Sequence, residues 1–204
     1  MDLPNNKIAI IGHTKGIGKA IADLYRKKKY QVTGLSRSNG YDLTTDQEKI
    51  LEHLEGHKLI VLNAHSGDGQ ITMLKRIYGK HVFDNIKVAV ITSTSGIDET
   101  PDYEQFRGMN VNQVRDQWDK FKYVQYCEQK KELINYISDL QDDLLNKPMS
   151  VFDICPDVVD TDMTKGLWEK LPKLTADEVA DAVSYCFGST CNVNKLVLQK
   201  KEIV

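Results

Sequence analysis

The 204-residue chain lacks an excess of either charge, a paired cysteine motif, a long apolar run and any internal repeat. Each absence closes a class. Lysine and arginine number 27 against 29 aspartates and glutamates, a net charge of −2. No general basic field exists to displace counterions from nucleic acid. Basic clustering is limited to Arg26-Lys27-Lys28-Lys29, which reads as the solvated end of a helix. The four cysteines, Cys127, Cys155, Cys186 and Cys191, have no Cys-x-x-Cys spacing and read as buried thiols. No stretch approaches the roughly 20 apolar residues of a membrane span. Met1-Asp2-Leu3-Pro4 carries neither a basic nor an apolar leader segment, so the expected compartment is the cytoplasm. Neither nucleic acid nor membrane is an expected partner.

What is present is an alternation of short apolar runs and helical periods. Residues 7–11, 31–36, 58–64, 87–93, 150–155 and 195–199 read as strands, and 17–29, 45–54, 70–80, about 112–146 and 176–187 as helices. Thr45, with Glu48 three residues on, reads as the capping box of the second helix. Trp118, Phe121, Val124, Leu133, Ile137, Leu140 and Leu144 keep helical spacing along the fourth, and Pro148 follows its end. Strand–helix alternation predicts an α/β fold: one Rossmann-like, doubly wound parallel β-sheet with helices on both faces, as a single domain over residues 1–204. Right-handed crossovers gather the ends of the first, third, fourth and fifth strands along one edge.

The first strand runs directly into Gly12-His13-Thr14-Lys15-Gly16-Ile17-Gly18. Glycines permit close backbone approach, and a helix beginning there points free N–H groups at a phosphate. The spacing is Gly-x-x-x-Gly-x-Gly. After the second strand stands Leu35-Ser36-Arg37-Ser38, with no acidic residue to bind ribose hydroxyls. Arg37 can clamp a phosphate, Lys15 adds a positive charge, and Ser36 and Ser38 offer hydroxyls. On helix four, Tyr126 and Lys130 are four residues apart and share a face. An ammonium so placed is expected to lower the tyrosine pKa from about 10.

Five segments in order resemble the short-chain dehydrogenase/reductase family across nearly the whole chain. They are the glycine turn, Asn63-Ala64-His65, Ser93 in "ITSTSG", Tyr126-Cys127-Glu128-Gln129-Lys130, and Pro156-Asp157-Val158-Val159-Asp160-Thr161. The resemblance implies a nicotinamide dinucleotide held by Gly12, Thr14, Lys15, Gly16, Ile17 and Gly18, by Asn63 and Ala64, and by Pro156, Val159 and Thr161. It also implies that Asp42 and Leu43 contact the adenine, that Tyr126 and Lys130 contact the cofactor, with Lys130 holding the nicotinamide ribose, and that Thr161 binds the carboxamide. Ser93, Tyr126 and Lys130 are the implied catalytic residues, with Ser93 placing the substrate oxygen and Tyr126 supplying its proton. With Ser36, Arg37 and Lys15 present, NADP(H) is favoured over NAD(H), and the expected activity is an NADPH-dependent oxidoreductase acting on a small carbonyl or alcohol. The alternative is an NADP(H)-responsive binding protein on the same fold with little turnover.

The chain departs from the family in places. His65 and Asp157 replace glycines, and the latter suggests altered backbone geometry. Little separates Arg37 from Asp42, and the helix before Ser93 holds no match for the family's catalytic asparagine. Asn110 follows Ser93 instead and is not assigned. Tyr123 is set aside because Cys127, four residues on, is not a lysine. Residues about 97–125 form a long insertion and 162–172 a lid, whose Met163, Leu167, Trp168 and Leu171 either line an apolar pocket or pack the lid. Cys127 reads as a packed thiol, with a redox role as the alternative. His53 and His57 lack a third ligand, so no metal site is assigned. Surplus apolar residues on the fourth helix suggest a homodimer or homotetramer.

Overall fold

The computed structural model describes residues 6–97, 120–166, 169 and 171–201, with backbone alone for 120–122. Six parallel strands form one sheet: β1 (Lys7–Ile11), β2 (Gln31–Leu35), β3 (Leu59–Leu62), β4 (Lys87–Ile91), β5 (Ser150–Pro156) and β6 (Lys195–Leu198). Their order is β2-β1-β3-β4-β5-β6. The chain moves outward from β1 to β2, then returns past β1 to β3. This reversal opens a crevice at the carboxyl ends of β1 and β3, where open α/β sheets bind ligands. The structure is thus the doubly wound α/β arrangement that the alternating elements predict, and both faces are covered.

Alternation along the strands sorts the core. In β1, Ile8 and Ile10 face one layer, with Ile21, Tyr25, Val179, Val183 and Phe187 from α1 (Gly16–Lys27) and α5 (Ala176–Gly188). Ala9 and Ile11 face the other, with Ile50, Leu74, Ile77, Leu133, Ile137 and Leu140. Those residues come from α2 (Gln47–His53), α3 (Gly69–His81) and α4 (Lys120–Asp143). The period of two in a strand divides the two cores, and each fully buried Ile or Leu contributes roughly 1.5–3 kcal/mol.

One expectation changes. The second helix starts at Gln47, with Asp46 as its N-cap and no side-chain cap bond. The Thr45–Glu48 capping box does not form. Instead Asp42 Oδ1 accepts from Thr44 N and Oγ1, and Asp46 Oδ2 accepts from Asp42 N, closing the loop one step later. A capping box does form at Thr175–Glu178, opening α5. On α4, Leu133, Ile137 and Leu140 are consumed by the core, as is Leu144 in the 3₁₀ turn that follows. The exposed positions of α4 are polar, among them Glu128, Lys131, Glu132, Asn135, Asp139 and Asp142. The leucines and the isoleucine pack internally, and Val124 is half-buried. Residues 98–119, including Asn110 and Trp118, and the Phe121 side chain lie outside the described residues. No described helix is long and apolar enough to cross a membrane.

Candidate active site

The strand ends open onto a cavity of about 930 Å³, within the size range of small-molecule and cofactor sites. Gly12, Thr14, Lys15, Gly16 and Ile17 line it from the turn after β1, and Ser36, Arg37, Ser38 and Leu43 from beyond β2. Asn63, Ala64 and His65 follow β3, Ser93 follows β4, Tyr126 and Lys130 come from α4, and Pro156, Val159 and Thr161 come from the end of β5 and beyond. Of the residues expected at the site, Gly18 and Asp42 are not in the wall. A Cβ at Gly18 would lie 1.9 Å from the Gly12 carbonyl oxygen and 2.7 Å from Asn63 Nδ2. Gly18 therefore lets α1 pack beneath the turn. Asn63 Nδ2 donates to that same carbonyl at 2.8 Å, tying β3 to the turn. The Asp42 carboxylate accepts two bonds from Thr44, which hold its pKa below the ordinary carboxylate value. Its neighbours Tyr41 and Leu43 line the cavity instead.

Lys15 is the N-cap of α1 and makes no side-chain cap bond. The first amides of this 12-residue helix are thus left for whatever enters the cavity. Lys15 Nζ lies 3.8 Å from Asp162 Oδ2 across the mouth, both side chains exposed, so the lysine leans towards the segment after β5. Arg37 starts a 3₁₀ turn, Arg37–Asn39, held by Asn39. Asn39 Oδ1 accepts from Ser36 N at 2.7 Å and Nδ2 donates to Gly34 O at 2.8 Å. Ser38-Asn39-Gly40 reads as a turn from the sequence, and Asn39 is the residue that staples it.

Ser93 caps the 3₁₀ turn Thr94–Gly96, and its Oγ accepts from Ser95 N at 3.2 Å. Tyr126 is hydrogen-bonded to Ser93. Burial pushes the Tyr126 phenol up to about 12, while the bond to Ser93 pulls the other way. This corrects the expectation of a phenol acidified by Lys130. The ammonium stands 5.6 Å from the Tyr126 ring centroid. It donates to Gln70 Oε1 at 2.8 Å and Ile91 O at 3.0 Å. Burial lowers Lys130 to about 7, opposed chiefly by the Asp153 carboxylate.

Tyr123, set aside on spacing, belongs to the cavity wall. It is hydrogen-bonded to Ser95, and burial pushes it up to about 12. The signal was its position three residues before Tyr126, one helical turn away on the same face. His65 meets the Tyr126 ring edge-on, with centroids 5.0 Å apart and planes at 82°. Burial first, then the Lys130 charge, lowers its pKa to about 4, so the imidazole is neutral.

Asp157 does not take the left-handed conformation of a glycine; among the described non-glycine residues only Lys29 has positive φ. Its Oδ1 accepts from Thr94 Oγ1 at 3.1 Å, and its N–H donates to Leu198 O at 2.9 Å. Met163 and Leu171 line the cavity, whereas Leu167 and Trp168 lie outside the described residues. Both histidines considered as ligands are otherwise engaged. His53 Nε2 pairs with Tyr41 Oη at 2.9 Å and His57 Nε2 with Thr33 Oγ1 at 2.9 Å.

No protein-family model and no curated protein sequence matches the chain. Solved structures match its fold. A 3-ketoacyl-(acyl-carrier-protein) reductase from Brucella melitensis, complexed with NADH, is 14% identical. The match covers 94% of this chain and 95% of that one, with a TM-score of 0.73. A short-chain dehydrogenase/reductase from Vibrio parahaemolyticus is 16% identical over 96% of this chain and 100% of that one, TM-score 0.70. A short-chain dehydrogenase from Burkholderia cenocepacia J2315, in complex with NADP, is 16% identical over 95% and 96%, TM-score 0.66. The chain has the short-chain dehydrogenase/reductase fold.

Proposed function

We propose that this chain, built on the short-chain dehydrogenase/reductase fold, is an NADP-dependent oxidoreductase acting on a small carbonyl or alcohol. One observation carries the reading. Tyr126, bonded to Ser93 and beside buried Lys130, shares a cavity with the uncapped start of α1.

The cavity fits a dinucleotide by the chemistry of its donors. The α1 amides, with Gly12, Thr14, Gly16 and Ile17, suit a pyrophosphate. Asn63 and Ala64 would border the ribose, and Pro156, Val159 and Thr161 the nicotinamide. Arg37, with Ser36 and Ser38 beside it, suits a 2′-phosphate and favours NADP(H) over NAD(H). Among neighbours of this fold, complexes with NADH and with NADP both occur. When bound, the nicotinamide supplies or accepts the hydride.

The chain's own residues handle the proton. Tyr126, with its pKa raised to about 12, is a neutral phenol at physiological pH and holds a proton for the substrate oxygen. Ser93, bonded to that phenol, orients the same oxygen by hydrogen bonding. Lys130 anchors the ribose side through whichever donor Gln70 and Ile91 do not take. Tyr123, Met163 and Leu171 wall the substrate end and limit its access to water.

The test is a fluorescence titration with NADPH and NADH, followed by NADPH oxidation with a panel of aldehydes, ketones and quinones. Tight NADPH binding with turnover of at least one carbonyl is expected. Failure to bind either nucleotide would overturn the reading, and binding without turnover across the panel would favour the NADP(H)-responsive alternative.

A further inference from the structure

Gln70, the second residue of α3, is only 2% exposed, yet it carries an amide. Its Nε2 donates to Leu62 O at 3.0 Å and to Ile91 O at 2.9 Å, the last residues of β3 and β4. Its Oε1 accepts from Lys130 Nζ at 2.8 Å. Lys130, 3% exposed, also donates to Ile91 O at 3.0 Å. The four groups close on one another: Ile91 O takes one bond from the amide and one from the ammonium, using both lone pairs. The two carbonyls require the NH₂ end of the amide, so the oxygen must face the lysine. Packing alone would be served by a leucine of similar volume, without the cost of satisfying a buried amide.

We infer that Gln70 is the positioning residue for Lys130: it clamps the ends of β3 and β4 and aims the ammonium along a fixed direction at the cavity. The amide is a neutral acceptor. It supports the ammonium as a dipole without pinning its charge as a carboxylate would, so the amine stays able to exchange its proton near neutrality. Other titratable groups also face Lys130. Asp153 and Cys155 on β5 and Tyr126 on α4 border it, and His65 after β3 feels its charge. Asp153 is itself held by Thr92 and lies 3.4 Å from Lys195 Nζ. Gln70 is thus the neutral side chain that accepts from the ammonium, beside the Ile91 carbonyl. The consequence for catalysis rests on the oxidoreductase reading; the clamp itself does not.

The test follows Lys130 directly. Protein labelled with ¹³C-lysine is titrated by NMR, and the Lys130 signal is identified by its loss in Lys130→Met. In the wild type one lysine should titrate far below the others. In Gln70→Glu, a carboxylate at the same place should raise that midpoint by about one unit or more. In Gln70→Leu, loss of the acceptor should lower it. Opposite shifts from two changes at one residue are not what general loosening produces. Equal midpoints in wild type and Gln70→Glu, or shifts of the same sign in both variants, would overturn the inference. If Gln70→Leu does not fold, Gln70→Glu alone decides. The readout needs no cofactor: a protein that binds no nucleotide defeats the proposed function and leaves the lysine titration valid. Nucleotide binding with an unmoved lysine defeats only this inference.

Discussion

Gly96 and Lys130 are in backbone contact: a Cβ at Gly96 would lie 2.6 Å from the Lys130 carbonyl carbon. The turn that carries Ser93 and the helix that carries Tyr126 and Lys130 are therefore seated on each other by main chain. The obstruction is backbone and cannot rotate away. Gly96→Ala should destabilise the fold by about 1–3 kcal/mol, as overpacking does. It should also separate Ser93 from Tyr126. Urea unfolding, with turnover measured under native conditions, checks both effects; an unchanged midpoint would show that the contact yields freely.

Tyr126→Phe removes the proton and keeps the ring. Turnover should fall by about 10²- to 10⁴-fold, with NADPH binding little changed. The pH dependence has a definite sign. A phenol raised to about 12 stays protonated at neutral pH, the form that carbonyl reduction uses. Alcohol oxidation uses the phenolate and should accelerate as pH rises into the alkaline range, while reduction should not. Initial rates in the two directions, for wild type and variant, check this. Equal rates for wild type and Tyr126→Phe would remove the phenol from the chemistry.

Arg37→Ala should weaken NADPH binding about tenfold or more and leave NADH binding nearly unchanged, because only the 2′-phosphate meets the guanidinium. Fluorescence titration with both nucleotides measures the ratio. A parallel loss for both would mean that Arg37 supports the turn and not the phosphate.

Lys130 also shapes stability. Burial depresses its folded pKa from 10.5 to about 7, so between these values the unfolded chain binds a proton that the folded chain has released. Stability linked to this residue therefore rises with pH across that window and is lowest at its acid end. Lys130→Met removes the slope. Its stability relative to wild type should increase as pH falls from about 10 to about 7. Denaturant midpoints at several pH values check it; a constant difference would mean that the amine is not desolvated.

Much of the site was legible because it rests on local pattern. Residues 7–11 and 87–93 read as buried strands, and the structure has strands at Lys7–Ile11 and Lys87–Ile91 with the glycine turn following the first. A spacing of four put Tyr126 and Lys130 on one helical face. The start of α2 was misplaced because Asp42, outside the helix, closes the loop with its own carboxylate. Tyr123 was passed over because a sequence motif names partners along the chain, whereas its partner Ser95 comes from another element. The packing of Leu133, Ile137 and Leu140 of α4 into the core was not legible, because a helix alone does not show which faces other elements will cover.

The sequence by itself determined the alternation of strands and helices, and with it the sheet edge where Gly12, Asn63, Ser93 and Thr161 converge, since apolar period and chain handedness are local properties. Only the tertiary structure decided how the protons are held. Gln70 lies 60 residues from the lysine it touches, and the carboxylate opposing that lysine's desolvation comes from β5. Proton affinity follows burial and neighbouring charge, and both exist only once distant segments are packed together.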